Sequence, residues 1–256
     1  MTDEATPDLI HRVDGDIAHV TFNRPAQRNA LTFRMYEDLA KICDDPGNVR
    51  AIVISGAGGA FAAGTDMSQF RAFDKPEDAW HYEETMDAVM SRIERCPVPT
   101  IAAITGACTG GGAAIAACCD LRIADERLKF GFPIARTLGN CLSISSLARL
   151  SALIGQAKVR EVIFTSRLVL ADEALAAGLV MEIADDPVAR ATELAGQISG
   201  YAPLTLRVTK EGLRRLRTEG PDADDRDLIE TAYMSHDFKE GMEAFLGKRK
   251  PAFKGR

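Results

Sequence analysis

The chain has 256 residues, 46% of them hydrophobic and 27% charged, and a formal net charge of -6. That length supports a substantial core, in one large domain or somewhat more. The acidic balance argues against a general binder of nucleic acid or of anionic membranes, because both need a basic surface.

No apolar run is long enough to span a bilayer. The acidic start, MTDEATPDL, lacks the apolar segment of a secretory signal, so a soluble, cytoplasmic protein is expected. The six cysteines (43, 96, 108, 118, 119 and 141) show no C-x-x-C spacing, which points to buried reduced thiols and not to a zinc site or disulfide framework. Four isolated histidines make no ligand pattern, so no metal is expected.

In chain order, residues 9–13 and 16–22 read as strands of a hairpin turning at Asp14-Gly15. Thr32 caps an amphipathic helix through Cys43, and Asp44-Asp45-Pro46-Gly47 stops it. Residues 50–55 form the next strand and run into the glycine-rich segment 56–67. Strand, helix, strand and glycine turn suggest right-handed crossovers and an α/β core. Gly56-Ala-Gly58 is not a dinucleotide fingerprint, since Phe61 stands where a third small residue must open a helix. Neither glycine cluster is followed by Gly-Lys-Ser/Thr, so a P-loop is excluded as well.

Residues 74–94 read as a helix with Trp80, Met86, Val89 and Ile93 at helical spacing, suited to closing over the glycine turn. The apolar strand 99–104 leads into Thr105-Gly-Ala-Cys-Thr-Gly-Gly-Gly112 and a small-residue helix. Such a turn leaves backbone N–H groups bare at a helix N-terminus, a natural place for an anion or a developing oxyanion. Close helix packing would select the same residues. A strand at 120–124 and a turn or edge segment at 129–133 follow. Beyond residue 142 the pattern is nearly all helical, through 145–153, 156–164, 171–177, 187–199 and 203–217, interrupted by a short strand at 179–184. Asp237-Phe-Lys-Glu240 reads as a capping-box start. Phe238, Met242, Phe245 and Leu246 then share one face, and the basic tail KRKPAFKGR follows.

Four segments carry a resemblance to the enoyl-CoA hydratase/isomerase (crotonase) superfamily, in order and along almost the whole chain. They are Asn23-Arg-Pro-Ala-Gln-Arg-Asn-Ala-Leu31, Gly59-Ala-Phe-Ala-Ala-Gly-Thr-Asp-Met67, Ile104 to Gly112, and Asp237 to Phe245 with Lys248-Arg-Lys-Pro251. The resemblance implies an α/β spiral of ββα turns over 1–195 and a helical C-terminal trimerisation region over 196–256. It also implies homotrimers or hexamers, and an acyl-CoA thioester substrate. Coenzyme A would then enter as part of the substrate, with no cofactor held permanently. By the same resemblance the backbone N–H groups of Thr65 and Gly111 form an oxyanion hole. Arg28, Ala30 and Ala63 hold the pantetheine and adenosine parts; Asp66, a turn-stabilising residue, Met67 and Ser68 complete the binding set. Phe253 and Lys254 reach a neighbouring subunit's adenine end.

The sequence departs from the family where a hydratase places its two glutamates. Those positions hold Ala114 and Ile134, and no Asp or Glu occurs from 97 to 119 or from 127 to 160. Two-glutamate hydration is therefore not expected. Arg136, Thr137, Asn140 and Cys141 occupy the segment expected to line the acyl pocket. Arg136 would bind a substrate carboxylate or serve as an ion-pair partner; Cys141 would be a nucleophile or, the favoured reading, a small buried hydrophobe. His81, Glu83 and Glu84 on the lid helix would lean into the site or remain solvated. The leading expectation is enolate chemistry on an acyl-CoA, by a lyase or isomerase. The alternatives are an inactive acyl-CoA-binding protein, or a CoA-thioester decarboxylase or hydrolase.

Overall fold

A computed structural model of the chain describes residues 7–71 and 73–256. Most of the acidic N-terminal stretch lies outside that range. The described strands are β1 (Leu9–Asp14), β2 (Ile17–Phe22), β3 (Ala51–Gly56), β4 (Thr100–Ile104), β5 (Ala107–Thr109), β6 (Leu121–Ala124), β7 (Lys129–Gly131), β8 (Val169–Leu170) and β9 (Glu182–Ile183). The helices are α1 (Phe33–Asp44), α2 (Pro76–Glu94), α3 (Gly111–Cys118), α4 (Ile134–Thr137), α5 (Ile144–Thr165), α6 (Ala171–Ala176), α7 (Pro187–Ser199), α8 (Pro203–Glu219), α9 (Arg226–Tyr233) and α10 (His236–Leu246).

The strands form a six-stranded sheet of order β1-β2-β3-β4-β6-β9, antiparallel at β1–β2 and parallel beyond it. A three-stranded sheet of order β5-β7-β8 lies apart from it. The expected α/β plan is present, with helices filling the C-terminal third. Continuous apolar runs in β3 and β4 have a direct cause, because both faces of the large sheet are covered. Ile52, Ile54, Ala102 and Ile104 enter the main core with α1 and α2. Their neighbours Ala51, Val53, Ile101 and Ala103 pack on Ala191, Ala195 and Ile198 of α7. The expected division at residue 195 thus falls inside α7, whose Ile198 still packs on the sheet.

Several local expectations are corrected. β5 and β8 were not expected, and 129–131 is a paired strand, because these short segments exist through pairing with one another. The helices expected at 145–153 and 156–164 run on as α5, interrupted at Gly155, whose φ of 76° and ψ of 149° are not helical. Trp80 is 62% exposed while Met86, Val89 and Ile93 are buried; it lies off the face that those three share. Ser235, not Asp237, caps α10, accepting a 3.0 Å hydrogen bond from the Phe238 N–H. Asp237 is buried and accepts instead from the Lys254 and Gly255 N–H groups, each at 2.7 Å. The basic tail is thereby docked on its own chain. No described helix is long and apolar enough to cross a membrane.

Candidate active site

β3 and β4 are neighbours in the large sheet, so the glycine segments that leave their C-terminal ends emerge side by side. In parallel α/β sheets that edge is where ligands bind. The segments are then joined directly. The Ala62 N–H donates to Ala107 O at 3.1 Å and the Thr109 N–H to Ala62 O at 3.0 Å. Buried Asn29 braces the first turn, donating to the carbonyls of Ala57 (2.8 Å) and Ala60 (2.7 Å) and accepting from the Arg24 N–H at 2.9 Å.

Close approach explains the glycines. Gly64 and Gly110 have φ of +111° and +52°, and a Cβ on Gly110 would stand 3.4 Å from Gly64 Cα. A Cβ on Gly111 would lie 1.7 Å from the Tyr36 hydroxyl and 3.1 Å from Thr65 Oγ1, so no side chain fits there. Thr65 and Gly111 line one cavity of about 320 Å³. Neither of their N–H groups donates to a described residue. The Tyr36 and Thr65 hydroxyls share a 2.8 Å hydrogen bond, with the Tyr82 hydroxyl 3.4 Å from Thr65 Oγ1. Burial pushes both phenols above their ordinary pKa, so they remain neutral donors at physiological pH.

Ala63, Met67, Ala114, Ile134, Thr137, Asn140 and Cys141 also line this cavity. Ala114 and Ile134 thus put only hydrocarbon where carboxylates were sought. Cys141 corrects the expectation of a buried hydrophobe. It is exposed, because it sits in the loop between α4 and α5 at the boundary with a second hollow of about 450 Å³. Arg136 is exposed and lines neither hollow. Arg28 and Ala30 lie behind the first turn. The Arg28 carbonyl accepts from the Ala63 N–H at 3.0 Å, and that of Ala30 from Arg24 Nη1 at 2.6 Å. Asp66 accepts from the Ser68 hydroxyl and N–H (2.7 and 3.0 Å) and from Arg24 Nη1 (2.9 Å). These bonds to Ser68, then the one to Arg24, hold its pKa down to about 2, in keeping with a turn-stabilising role. Phe253 rests against α10 beside Gly241, and Lys254 is exposed.

The opposite wall is α2. Glu83, Met86, Asp87 and Met90 line the cavity, at the i, i+3, i+4, i+7 spacing of one helical face. His81 and Glu84 are exposed and do not line it. An aromatic cluster seats the helix over the first turn, with Tyr82 ring centroids 4.9 Å from Phe70 and 5.7 Å from Phe33. Asp87 accepts a 2.7 Å hydrogen bond from the Ser143 hydroxyl and lies 4.0 Å from Nη1 of buried Arg149. Burial, and then the Asp87 charge, push the Glu83 carboxyl above its ordinary pKa. Asp87, Tyr36 and Tyr82 are among the lining residues that sequence reasoning missed. The 83/86/87/90 spacing was a usable signal for Asp87, whereas the tyrosines stand out only once α1 and α2 meet at Thr65. Among the described residues no group of three His, Cys, Asp or Glu side chains is placed to hold a metal ion.

The sequence model of the enoyl-CoA hydratase/isomerase family matches residues 12–256. A Bacillus subtilis protein named "Probable enoyl-CoA hydratase" is 37% identical over 252 residues, covering 95% of this chain and 97% of its own. The short-chain-enoyl-CoA hydratase of Clostridium acetobutylicum is 32% identical over 258 residues, 97% of this chain and 98% of its own. Among solved structures, an enoyl-CoA hydratase/carnithine racemase from Magnetospirillum magneticum matches with a TM-score of 0.88 at 34% identity, over 98% of this chain and 97% of that one.

Proposed function

Because the chain belongs to the enoyl-CoA hydratase/isomerase family, we propose that it is an enzyme acting on acyl-CoA thioesters through a thioester enolate. The observation that carries this reading is the pair of undonated N–H groups, Thr65 and Gly111, on adjoining glycine turns in one cavity wall. A thioester oxygen between them would accept two hydrogen bonds that strengthen as charge develops on it, each worth about 3–4 kcal/mol. Loss of an α proton then becomes feasible, with the C–H electron pair moving onto the thioester oxygen. Ala63, Met67 and the backbone around Arg28, Ala30, Asp66 and Ser68 supply the edge along which the pantetheine would lie. Coenzyme A enters as part of the substrate.

Ala114 and Ile134 neither orient water nor carry a proton. The two-glutamate route to hydration is therefore not the proposed reaction, and a proton shift is. The same two residues favour a second reading, an acyl-CoA-binding protein without chemistry. We further propose that copies of this chain cover the C-terminal helices, because Met234, Phe245 and Leu246 are 71%, 84% and 75% exposed, more apolar surface than a free helical face needs. Trimers or hexamers would meet that requirement, and Phe253 and Lys254 would then lie at a boundary between subunits.

The test is incubation with butyryl-CoA in heavy water, following deuterium at the α carbon by mass spectrometry. Enzyme-dependent exchange is expected. Micromolar binding with neither exchange nor turnover across a set of saturated and unsaturated thioesters would leave the binding-protein reading in its place.

A further inference from the structure

We propose that Glu83, on the helix facing the two glycine turns, is the residue that moves the proton. The inference rests on the enolate reading above and adds the missing acid/base group to it. Glu83 and Asp87 are the carboxylates that line the cavity, and no Lys, Arg or His lines it among the described residues. The sheet-side wall supplies no other: 97–119 and 127–160 carry no Asp or Glu, and Asp66, beside Thr65, does not line the cavity and is bonded to Ser68 and Arg24.

The two carboxylates differ in their surroundings, and that difference assigns their roles. Asp87 is tied down from behind: the Ser143 hydroxyl, which also caps α5 by accepting from the Ser146 N–H at 3.1 Å, donates to it at 2.7 Å. Arg149 stands beyond it at 4.0 Å, itself paired with Glu94 at 3.2 Å. Glu83 has no hydrogen-bond or ion-pair partner among the described residues and is half-buried in the cavity wall. A carboxylate already engaged in a network serves as a fixed charge, whereas an unpartnered one beside it is free to take and return a proton. Burial, and then the neighbouring Asp87 charge, also raise the proton affinity of Glu83 above that of an ordinary carboxylate, the direction that suits a group which must both accept and donate.

The step balances within the substrate. Glu83 takes the α proton, and the C–H electron pair passes to the thioester oxygen held by Thr65 and Gly111. In simple exchange the protonated Glu83 trades its proton for a solvent deuteron and delivers that to the α carbon; with a β,γ-unsaturated thioester it delivers the proton to the γ carbon. The second course leaves the conjugated α,β isomer and an ionised Glu83. No water, metal or cofactor is consumed. The reaction class is a single-base 1,3-proton shift, with Asp87 as a positioning residue.

The experiment compares wild type with Glu83→Gln, Glu83→Asp, Asp87→Asn and exposed Glu84→Gln. Each is assayed for α-deuteration of butyryl-CoA in heavy water and for conversion of 3-butenoyl-CoA to crotonyl-CoA. Glu83→Gln is expected to lose both activities by roughly 100-fold or more while still binding butyryl-CoA. Glu83→Asp should recover part of the loss, and Glu84→Gln should match wild type. Asp87→Asn tests positioning through the pH profile. The charged or titratable groups facing Glu83 are Asp87 on its own helix, Tyr82 beside it, Tyr36 from α1 and Cys141 from the α4–α5 loop, with Arg149 of α5 behind Asp87. Removing the Asp87 charge lowers the Glu83 pKa, so the acid limb of exchange should move to lower pH. Exchange undiminished in Glu83→Gln would overturn this assignment and leave the enolate reading standing. A wild type inert in both assays would overturn the two together.

Discussion

The sheet-side wall of the cavity offers backbone, and the lid-side wall offers side chains. Thr65 and Gly111 are held by bonds within the main chain, Ala62 to Ala107 and Thr109 to Ala62, at the ends of two adjacent buried strands. Glu83 and Asp87 project from a helix seated over that edge by the Phe33–Phe70–Tyr82 cluster. Backbone donors positioned by a sheet cannot be exchanged by point mutation, only blocked. Side chains on a helix are freely replaced, so their chemistry can move from one wall of a site to the other while the fold is unchanged. Here the sheet-side wall presents the Thr65 and Gly111 turns with the hydrocarbon side chains of Ala114 and Ile134 beside them.

The contrast is broken most severely at Gly111. Gly111→Ala places a methyl group 1.7 Å from the Tyr36 hydroxyl, so either the ring or the turn must shift. Loss of about 3–4 kcal/mol of enolate stabilisation, a drop in α-exchange of two to three orders of magnitude, is expected. Thermal denaturation would show whether the chain still folds, and exchange as fast as wild type would show that the Gly111 N–H takes no part.

Tyr36→Phe is milder, since it removes the 2.8 Å hydrogen bond to Thr65 Oγ1 and leaves the ring in place. Stability measured in urea should fall by about 0.5–1.5 kcal/mol. Exchange should fall only severalfold, because in the proposed reaction the Thr65 N–H, not its hydroxyl, is the donor to the thioester oxygen. A loss as large as that of Gly111→Ala would give Tyr36 a direct role.

The smallest effect is expected at Asp66, which organises the turn that follows Thr65. Its pKa is lowered from 3.8 to about 2 by Ser68 and Arg24. A depressed folded-state pKa means that its contribution is complete above the unfolded value and fades as pH falls from about 4 towards 2. Asp66→Asn should therefore lower stability at neutral pH, where that contribution is complete, and flatten its acid dependence in that window, as followed by circular dichroism. An unaltered acid profile would remove Asp66 from the forces that hold the turn.

Much of this architecture was legible in the residues. Alternating burial in β2, the continuous apolar runs of β3 and β4, and the Thr32 cap of α1, which accepts from the Met35 N–H at 3.3 Å, all follow local rules of periodicity and capping. The glycine turns were legible for the same reason, since a residue type without a side chain marks a place where two backbones meet. β5 and β8 were not, because segments of three and two residues carry too little pattern and form through each other's edges. Asp237 was misread as the capping residue of α10, whose first turn it occupies behind the Ser235 cap. Its sequence neighbours satisfy the capping rule, while its actual partners, the Lys254 and Gly255 N–H groups, lie at the far end of the chain.

The sequence by itself therefore determined the α/β plan, the two bare-amide turns and the absence of carboxylates from the segments beside them. Each of these is a statement about neighbours along the chain. Tertiary structure decided which face of α2 is turned to the cavity, where sequence spacing gives only which residues share a face, and so separated Glu83 and Asp87 from His81 and Glu84. A helix presents charged residues all round, and only its packing against α1 and the Thr65 turn selects the face that is turned inward.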